Sequence, residues 1–430
     1  MKKKSREMRK ISYQFFKKID FYLKKEYNRG MEKIEIAIIG GGAAGLFLAN
    51  ALSTEYKIVI FERGERVGRK ISATGNGQGN ITNLAASETE YFSVNEEAEP
   101  RVEKIIQTYS QEHLKTFFHG LGILLQADER GRVYPAGRQA SALTDALRFG
   151  LTQKGVDVRL GARVVDIEKR KDEFLLTVET VEGKKNVLAK KVALCAGGKA
   201  AKNFGTDGSA YALAEKFGHS VTPLYPSLVQ LKTDTAFIKT LKGIRINDGG
   251  LTACMSSGEK VSLQGDIIFT DYGVSGDAVF RISAFIADKL LKGVTLCLDF
   301  LPNVSETQIL EMIKQKKAAF PALNEGELLF GILNNQVGRA VMKRANGDIS
   351  LAAKLVKSFP LTVTGSLGFD YAQVTKGGIP LSETDENLQS RLVNGLYFAG
   401  EILDVDGQCG GFNLQWAYSS AMQVAKAILE

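Results

Sequence analysis

Three glycines and one carboxylate carry the first recognisable chemistry in this chain of 430 residues. Gly40, Gly42 and Gly45, with Ala43 and Ala44 between them, follow the apolar run from Ile34 to Ile39 and open the helical pattern Leu46, Leu48, Ala49, Leu52. A second apolar run, Lys57 to Phe61, ends at Glu62, with Arg63 next to it. Gly40 allows a tight turn, Gly42 lets the main chain approach a pyrophosphate, and Gly45 lets helix and strand pack closely. The helix N-terminus adds unpaired N–H groups and a partial positive charge. Glu62, about 20 residues beyond the turn, can accept hydrogen bonds from both ribose hydroxyls. Strand, glycine turn, helix, strand and acid in this order predict a dinucleotide site rather than a structural turn. Which dinucleotide stays open at this point.

Two further glycine-rich segments offer main-chain groups to such a ligand. Residues 69–83, RKISATGNGQGNITN, hold neither helical nor strand periodicity. Arg69 and Lys70 supply positive charge, and small residues around Gly75, Gly77 and Asn80 let N–H groups reach a polar ligand edge. The apolar strand ending in Ala196-Gly197-Gly198 offers a second close approach, and the strand holding Val164 and Val165 a main-chain contact for adenine. Near the C-terminus, a strand from Leu396 to Ala399 turns sharply at Gly400 and Glu401. An acidic loop with Asp404 and Asp406 follows, and Gly411, Phe412 and Asn413 open a final helix.

The elements that must hold these residues follow from pattern. Residues 101–123 and 142–154 read as helices, 156–158 and 164–167 as short strands, 174–180 and 185–188 as a meander, and 191–196 as a buried strand. The stretch from about 223 to 302 is strand-rich and punctuated by glycine, and 304–354 is largely helical, with Ile309, Met312 and Ile313 on one face. The fold class expected from pattern is α/β, a Rossmann-like domain with an inserted β-rich part and an inserted helical part. The division expected is 1–30 a basic arm, 31–222 the first part of the nucleotide domain, 223–302 a β-rich insert and 303–354 a helical insert. A return at 355–363 leads to the second part of the nucleotide domain at 364–430.

Composition narrows the function. Hydrophobic residues make up 44% and charged residues 24%, ordinary for a globular protein. The net charge of +8 belongs to residues 1–30, which hold eleven Lys or Arg against three acids; the remainder balances. Aromatic residues interleave with those lysines, a composition suited to anionic surfaces, although a solvated tail or an upstream extension before Met31 explains it more simply. No stable nucleic-acid partner is expected. No run reaches the roughly 18 apolar residues of a membrane span, and lysines interrupt any signal-peptide core, so a cytoplasmic location is expected. Cys195, Cys254, Cys297 and Cys409 form no CxxC pair, and only three histidines are present, so no metal is expected. Cys409 reads as a small filler residue rather than a reactive thiol.

Beyond these local readings, the chain resembles the FAD-binding fold of two-dinucleotide-binding flavoproteins. More specifically, it is similar to the bacterial FAD-dependent oxidoreductases grouped with aminoacetone oxidase-like and bile-acid dehydro-reductase-like flavoproteins. The motifs are GRKISATGNGQGNITN, DERGRVYPAGRQASALTDAL at 128–147, GDIIFTDYGVSGDAVFRIS at 265–283, and TKGGIPLSETDENLQSRLVNGLYFAGEILDVDGQCGGFNLQWAYSSA at 375–421. The resemblance covers residues 33–430. It implies FAD held by a discontinuous domain from the two chain ends, with a β-barrel-like domain and a helical domain inserted between them. Gly400, Glu401 and the Asp404/Asp406 pair would lie toward the ribityl-phosphate, and Gly410 to Asn413 would open the last helix beside the flavin ring. Members commonly carry Arg-Cys where this loop has Gln78-Gly79, and Thr-His where it has Thr270-Asp271. The first departure removes a guanidinium from near the flavin and the second an imidazole from a position that could face substrate, so the resemblance does not carry the members' substrate over to this chain. Asp271 and Tyr272 stand as candidate proton-handling groups.

The activity implied is hydride transfer through flavin N5, from NADH or NADPH to a small unsaturated or carbonyl-conjugated substrate. No second GxGxxG follows a strand, so a nicotinamide would visit the substrate cleft transiently. An oxygen-dependent amine oxidase and a non-enzymatic or RNA-associated flavin-binding protein are the alternatives.

Overall fold

The computed structural model describes residues 31–86, 91–94, 99–290 and 293–430; the basic arm lies outside them. Strand Glu32–Ile39 (β1) pairs in parallel with Ile58–Phe61 (β2) on one side and with Gly183–Leu194 on the other. Ile38 stands opposite Ile60 and Ala193 in these two registers. A strand covered on both faces has no polar side to show, hence the unbroken apolar run from Ile36 to Ile39. Ile36 and Ile38 are fully buried, each contributing roughly 1.5–3 kcal/mol of transfer free energy.

Seven strands form this sheet, in the order Asp157–Arg159, β2, β1, Gly183–Leu194, Glu173–Thr180, Arg163–Arg170, with Leu396–Phe398 attached to Gly183–Leu194. The expected strands at 185–188 and 191–196 are one strand that changes partner midway. Its first half, to Ala189, is antiparallel to Glu173–Thr180, and its end, from Val192, is parallel to Leu396–Phe398. No turn residue separates the halves, so the chain runs straight through. The single helix expected at 101–123 is two, Glu99–Thr108 and Gln111–Gly120. The carbonyl of Tyr109 accepts Gln415 Nε2 at 2.8 Å and Ser419 Oγ at 2.7 Å from the final helix, and Ser110 is extended, which interrupts the helical ladder.

The C-terminal strand therefore lies one strand away from β1, with Gly183–Leu194 between the two chain ends. Helix Phe412–Leu429 packs on helix Ala43–Ala51. A Cβ on Gly400 would come within 2.8 Å of the Ala44 methyl, and Trp416 Nε1 donates to the Gly400 carbonyl at 3.2 Å.

Six strands close a barrel: Leu231–Thr233, Gly273–Ser275, Lys260–Phe269, Arg245–Met255, Val294–Asp299 and Phe359–Ser366. Along Arg245–Met255 the side chains alternate, Leu251, Ala253 and Met255 buried and Thr252 and Cys254 outward, as barrel closure requires. Helices Glu306–Ala319, Asn335–Arg344 and Ile349–Lys357 share its core through Ile309, Ile313, Val341 and Val356. Among the described residues no helix is long and apolar enough to cross a membrane.

Candidate active site

Each glycine of the first turn answers to a different neighbour. A Cβ on Gly45 would lie 2.0 Å from the Gly40 carbonyl oxygen, so this position admits no side chain where helix and strand cross. On Gly42, the N-cap of helix Ala43–Ala51, a Cβ would meet nothing closer than the Cys195 carbonyl at 4.0 Å, and the space beyond is open cleft. The helix start carries no side-chain cap, leaving its first N–H groups facing that space. Glu62 reaches back to the turn, Oε2 accepting Gly41 N–H at 2.8 Å and Oε1 accepting Gly64 N–H at 2.7 Å.

These groups border one cavity of about 1260 Å³. Of the residues singled out from sequence, Gly40, Gly42, Ala43, Ala44, Glu62, Arg63, Arg69, Lys70, Gly75, Asn80, Val165, Ala196, Gly197, Gly400, Glu401, Gly411 and Asn413 line it. Gly45, Gly77, Gly198, Asp406 and Phe412 stand outside its wall. Gly45 packs beneath the turn, and Gly198 is pressed against the Thr375 side chain, 2.5 Å from a Cβ built there. Phe412 is buried, and Gly77 faces open space. Val165 is conspicuous because a bulge between Val164 and Asp166 makes the ladder with Glu173–Thr180 skip it. Its main chain is thereby turned from sheet pairing toward the cleft.

Ion pairs hold distant segments around the cavity. Lys70 Nζ lies 2.6 Å from Glu401 Oε2, and Glu401 Oε1 accepts Thr375 N–H at 3.0 Å, which joins the loop after β2 to the C-terminal segment. Arg63 donates to Asp207 Oδ2 at 2.6 Å and, through Nε, to the Gly205 carbonyl at 2.8 Å. Arg69 donates to the Asn203 carbonyl at 2.7 Å. Together they tie residues 203–207, of which 204–207 line the cavity, to the segment after β2. Burial raises the Asp207 carboxyl, but the Arg63 and Ser209 hydrogen bonds outweigh it and hold it well below the usual carboxylate range. Behind the wall, Asp406 is fully buried; Oδ2 accepts Ser227 Oγ–H at 2.9 Å and Oδ1 has no hydrogen-bond partner.

Toward the barrel, Leu228, Ile268, Phe280 and Val374 give the cavity an apolar lining and Arg245, Asp266 and Asp277 a polar one. Arg132, Tyr134 and Arg138 enter it from strand Arg132–Pro135 and the turn after it, beside the 69–83 loop, where a Cβ on Gly75 would lie 3.2 Å from the Tyr134 ring. Neither Asp271 nor Tyr272 lines the cavity: Asp271 is exposed and paired with Lys242 at 2.8 Å, in the turn between two barrel strands. Six residues later, Asp277 faces the cavity from the first turn of helix Asp277–Ile286. Alternation along the strand was the available signal for this difference, and it stops at Phe269. Cys409 also lines the cavity, its thiol pushed up to about 11 chiefly by burial, so it is protonated at neutral pH. The arginines of 130–138 were visible as part of a motif, but no spacing rule tied them to the glycine turn.

Comparison with known proteins places this arrangement. The HI0933-like protein Rossmann domain matches residues 34–427. A 3-dehydro-bile acid delta(4,6)-reductase of Clostridium scindens is 32% identical over 413 residues, covering 92% of this chain and 99% of that one. A ribosomal RNA dihydrouridine synthase of Haemophilus influenzae is 29% identical over 414 residues, covering 92% and 98%. Among solved structures, the 3-ketosteroid-delta4-(5alpha)-dehydrogenase of Rhodococcus jostii superposes with a TM-score of 0.52 at 15% identity over 93% of this chain and 97% of that one, a likeness of fold alone. With the glycine turn, its acid and the closing C-terminal segment around one cavity, the chain belongs to the HI0933-like family of FAD-binding Rossmann proteins.

Proposed function

We propose that this FAD-dependent oxidoreductase is a reductase that takes hydride from NADH or NADPH and saturates a carbon–carbon double bond conjugated to a carbonyl in a small substrate. The single observation that carries the reading is continuity. One cavity runs from the glycine turn and Glu62 to Ile268 and Phe280 on the barrel side and Cys409 in the loop before the last helix, so a nucleotide and a second reactant can share it. In this reading Gly40 to Ala44 surround the pyrophosphate, Glu62 takes the ribose, Val165 offers its main chain to adenine, and Arg63 with residues 203–207 closes over the nucleotide. Lys70, Glu401, Gly75 and Asn80 border the ring end, where the N-terminus of the last helix, uncapped at Gly411, favours negative charge. Bound FAD supplies a two-electron carrier that accepts hydride from one reactant and yields it to another. The chain's own contribution is to hold both reactants against one face in turn and to keep water out with the apolar wall of Leu228, Ile268, Phe280 and Val374.

The relatives support the type of bond. A double bond conjugated to a ring carbonyl is common to a delta(4,6) 3-dehydro bile acid and to the uracil that becomes dihydrouridine. The dihydrouridine synthase relative favours a second reading, in which the reduced ring is a uracil within RNA.

Anaerobic reduction of the yellow protein separates the possibilities. Bleaching of the flavin by NADH or NADPH, followed by recovery of colour on adding a 3-oxo-delta(4,6) steroid acid, is the expected result. Recovery only with uridine-containing ribosomal RNA assigns the second reading. Bleaching by amines and by neither nicotinamide overturns both in favour of an oxidase.

A further inference from the structure

Two tyrosines line the cavity, and they differ in what holds them. Tyr371 is 63% exposed, whereas Tyr134 is 5% exposed. Tyr134 sits in strand Arg132–Pro135, which is flanked on one side by Thr82–Asn83 and on the other by Leu125–Ala127. The Arg138 guanidinium carbon lies 4.0 Å from the centre of its ring and fixes one face. A Cβ on Gly75 would lie 3.2 Å from the ring edge, so the 69–83 loop closes on it. What this packing leaves free is the hydroxyl. Tyr91 Oη donates to the Phe412 carbonyl at 3.1 Å, and Tyr418 Oη stands 2.5 Å from His113 Nδ1. Tyr134 Oη makes no hydrogen bond to any described residue, and it is not among the sealed atoms without a partner, which are Tyr211 Oη, Gln230 Oε1 and Asp406 Oδ1. The little exposure that Tyr134 keeps therefore reaches its hydroxyl, at the cavity wall. A hydroxyl buried this far with no protein partner carries a cost that an acceptor on a ligand removes.

We propose that Tyr134 Oη is the proton donor of the reduction, acting on the carbonyl oxygen of the conjugated substrate. The inference rests on the reductase reading and adds the acid which that reaction needs. Hydride arrives at the carbon β to the carbonyl. The electron pair of the carbon–carbon double bond shifts to join the α carbon to the carbonyl carbon, and the carbonyl π pair moves onto oxygen, which takes the Tyr134 proton. The α carbon then gains a proton from water as the enol returns its own to the tyrosinate, so the sum is one hydride and one solvent proton added across the double bond. The other polar groups at the cavity serve this step less well. Arginines do not release their protons in a protein. Lys70 is tied to Glu401 at 2.6 Å, and Asp277 is engaged by Arg130 at 3.7 Å and Arg281 at 3.8 Å. Cys409 offers a thiol, a weak hydrogen-bond donor. A phenol held by a strand is both the stronger donor and the better aimed one. The assignment holds for a steroid and for a uracil alike, because both present a carbonyl conjugated to the bond that is reduced.

The test uses the FAD-loaded full chain, with Tyr134→Phe, which keeps the ring under Arg138, and Cys409→Ala. The probes are a 3-oxo-delta(4,6) steroid acid and a uridine-containing RNA, each isotope-labelled at the conjugated carbonyl; the one that restores flavin colour is followed. In the oxidised protein, where nothing turns over, the infrared carbonyl band of the bound probe is expected at lower frequency in wild type and back toward the free value in Tyr134→Phe. After anaerobic reduction by a nicotinamide, reoxidation by the probe is expected to slow roughly hundredfold or more in Tyr134→Phe, the range of a general acid. Wild-type reoxidation by Tyr134→Phe, or a carbonyl band that the substitution does not move, overturns the donor and leaves the reductase reading standing. Loss of reoxidation in Cys409→Ala with none in Tyr134→Phe overturns it in favour of the thiol. Equal slowing of flavin reduction and reoxidation, or loss of FAD from the variant, makes Tyr134 a structural support and overturns it too. Wild-type protein that bleaches with a nicotinamide and regains colour with neither probe removes the reductase reading itself, and the donor with it.

Discussion

Glu62 Oε2 stands 2.8 Å from the main-chain nitrogen of Gly41, so the carboxylate that the fingerprint reserves for a ribose already ties the glycine turn to the end of β2. Its other oxygen accepts Gly64 N–H. An ionised carboxylate has lone pairs to spare for ribose hydroxyls while keeping both bonds. Glu62→Gln replaces one acceptor by an NH₂ group facing an N–H donor, and that donor is left unpaired. The expected result is a loss of about 1–3 kcal/mol in urea unfolding, together with FAD affinity lowered by tenfold or more in a fluorescence titration. Unchanged FAD affinity in the variant would show that Glu62 serves the turn alone.

Gly42 separates folding from binding more cleanly. The protein itself leaves room for a methyl there, since a Cβ added at this position would have its nearest neighbour 4.0 Å away and the backbone lies at φ −81. Gly42→Ala should therefore fold with wild-type stability in the absence of added cofactor. If the main chain at this point approaches a pyrophosphate, the methyl occupies the ligand's space and FAD binding weakens by roughly tenfold or more. Gly45→Ala is the contrast, because its Cβ would lie 2.0 Å from the Gly40 carbonyl oxygen and must displace the backbone. Equal FAD affinity for wild type and Gly42→Ala would move the pyrophosphate elsewhere.

The clasp of Arg63 on Asp207 should govern how fast FAD leaves. Both side chains are about a third exposed, at 27% and 33%, so solvent screens the pair and its stabilisation is small. The consequence expected is kinetic, because residues 204–207 line the cavity and this pair ties them to the segment after β2. Asp207→Asn keeps the shape and removes the charge. FAD release, followed by the fluorescence of freed flavin, is expected to accelerate several-fold at low salt and less at high salt. A release rate that ignores both the substitution and the salt would mean that the segment does not gate the cofactor.

Local order made part of this molecule readable in advance. A glycine turn between an apolar strand and a helix is encoded within thirty or so residues, and the closest approach in it, Gly45 on the Gly40 carbonyl, spans only five. The final helix and its glycine pair were legible for the same reason. Contacts across long separations were not. Arg63 meets Asp207 from 144 residues away, and Lys70 meets Glu401 from 331; neither spacing carries a periodic signal. His219 shows the opposite risk: bonded to Glu383 at 2.7 Å and to Ser390 at 2.7 Å, it has the look of a catalytic relay. It is buried away from the cavity, and Ser390 Oγ is occupied by the N–H groups of Leu392 and Val393. Only the fold distinguishes that structural tie from chemistry.

Asp406 should set a pH dependence of stability with a definite sign. Burial pushes its carboxyl up to about 7 from an ordinary 3.8; Lys376 and the Ser227 hydrogen bond oppose this, while Asp404 and Glu401 add to it. The folded chain thus holds a proton between pH 3.8 and 7 that the unfolded chain has released. Where the folded state binds the extra proton, stability falls as pH rises. The contribution is fully present below the unfolded value and is lost as pH climbs through 7, in total a few kcal/mol at about 1.4 kcal/mol per pKa unit. Asp406→Asn stays neutral throughout and can still accept the Ser227 hydroxyl, so it should match wild type only below about pH 3.8, already exceed it at pH 5, and exceed it most at pH 8. Urea unfolding of both proteins at pH 5, 6, 7 and 8, with FAD held in the same excess, isolates this contribution, because every other titrating group cancels in the difference. A wild-type minus variant difference that stays flat from pH 5 to 8 would mean the buried carboxyl is charged in the folded protein, with Lys376 close enough to balance it.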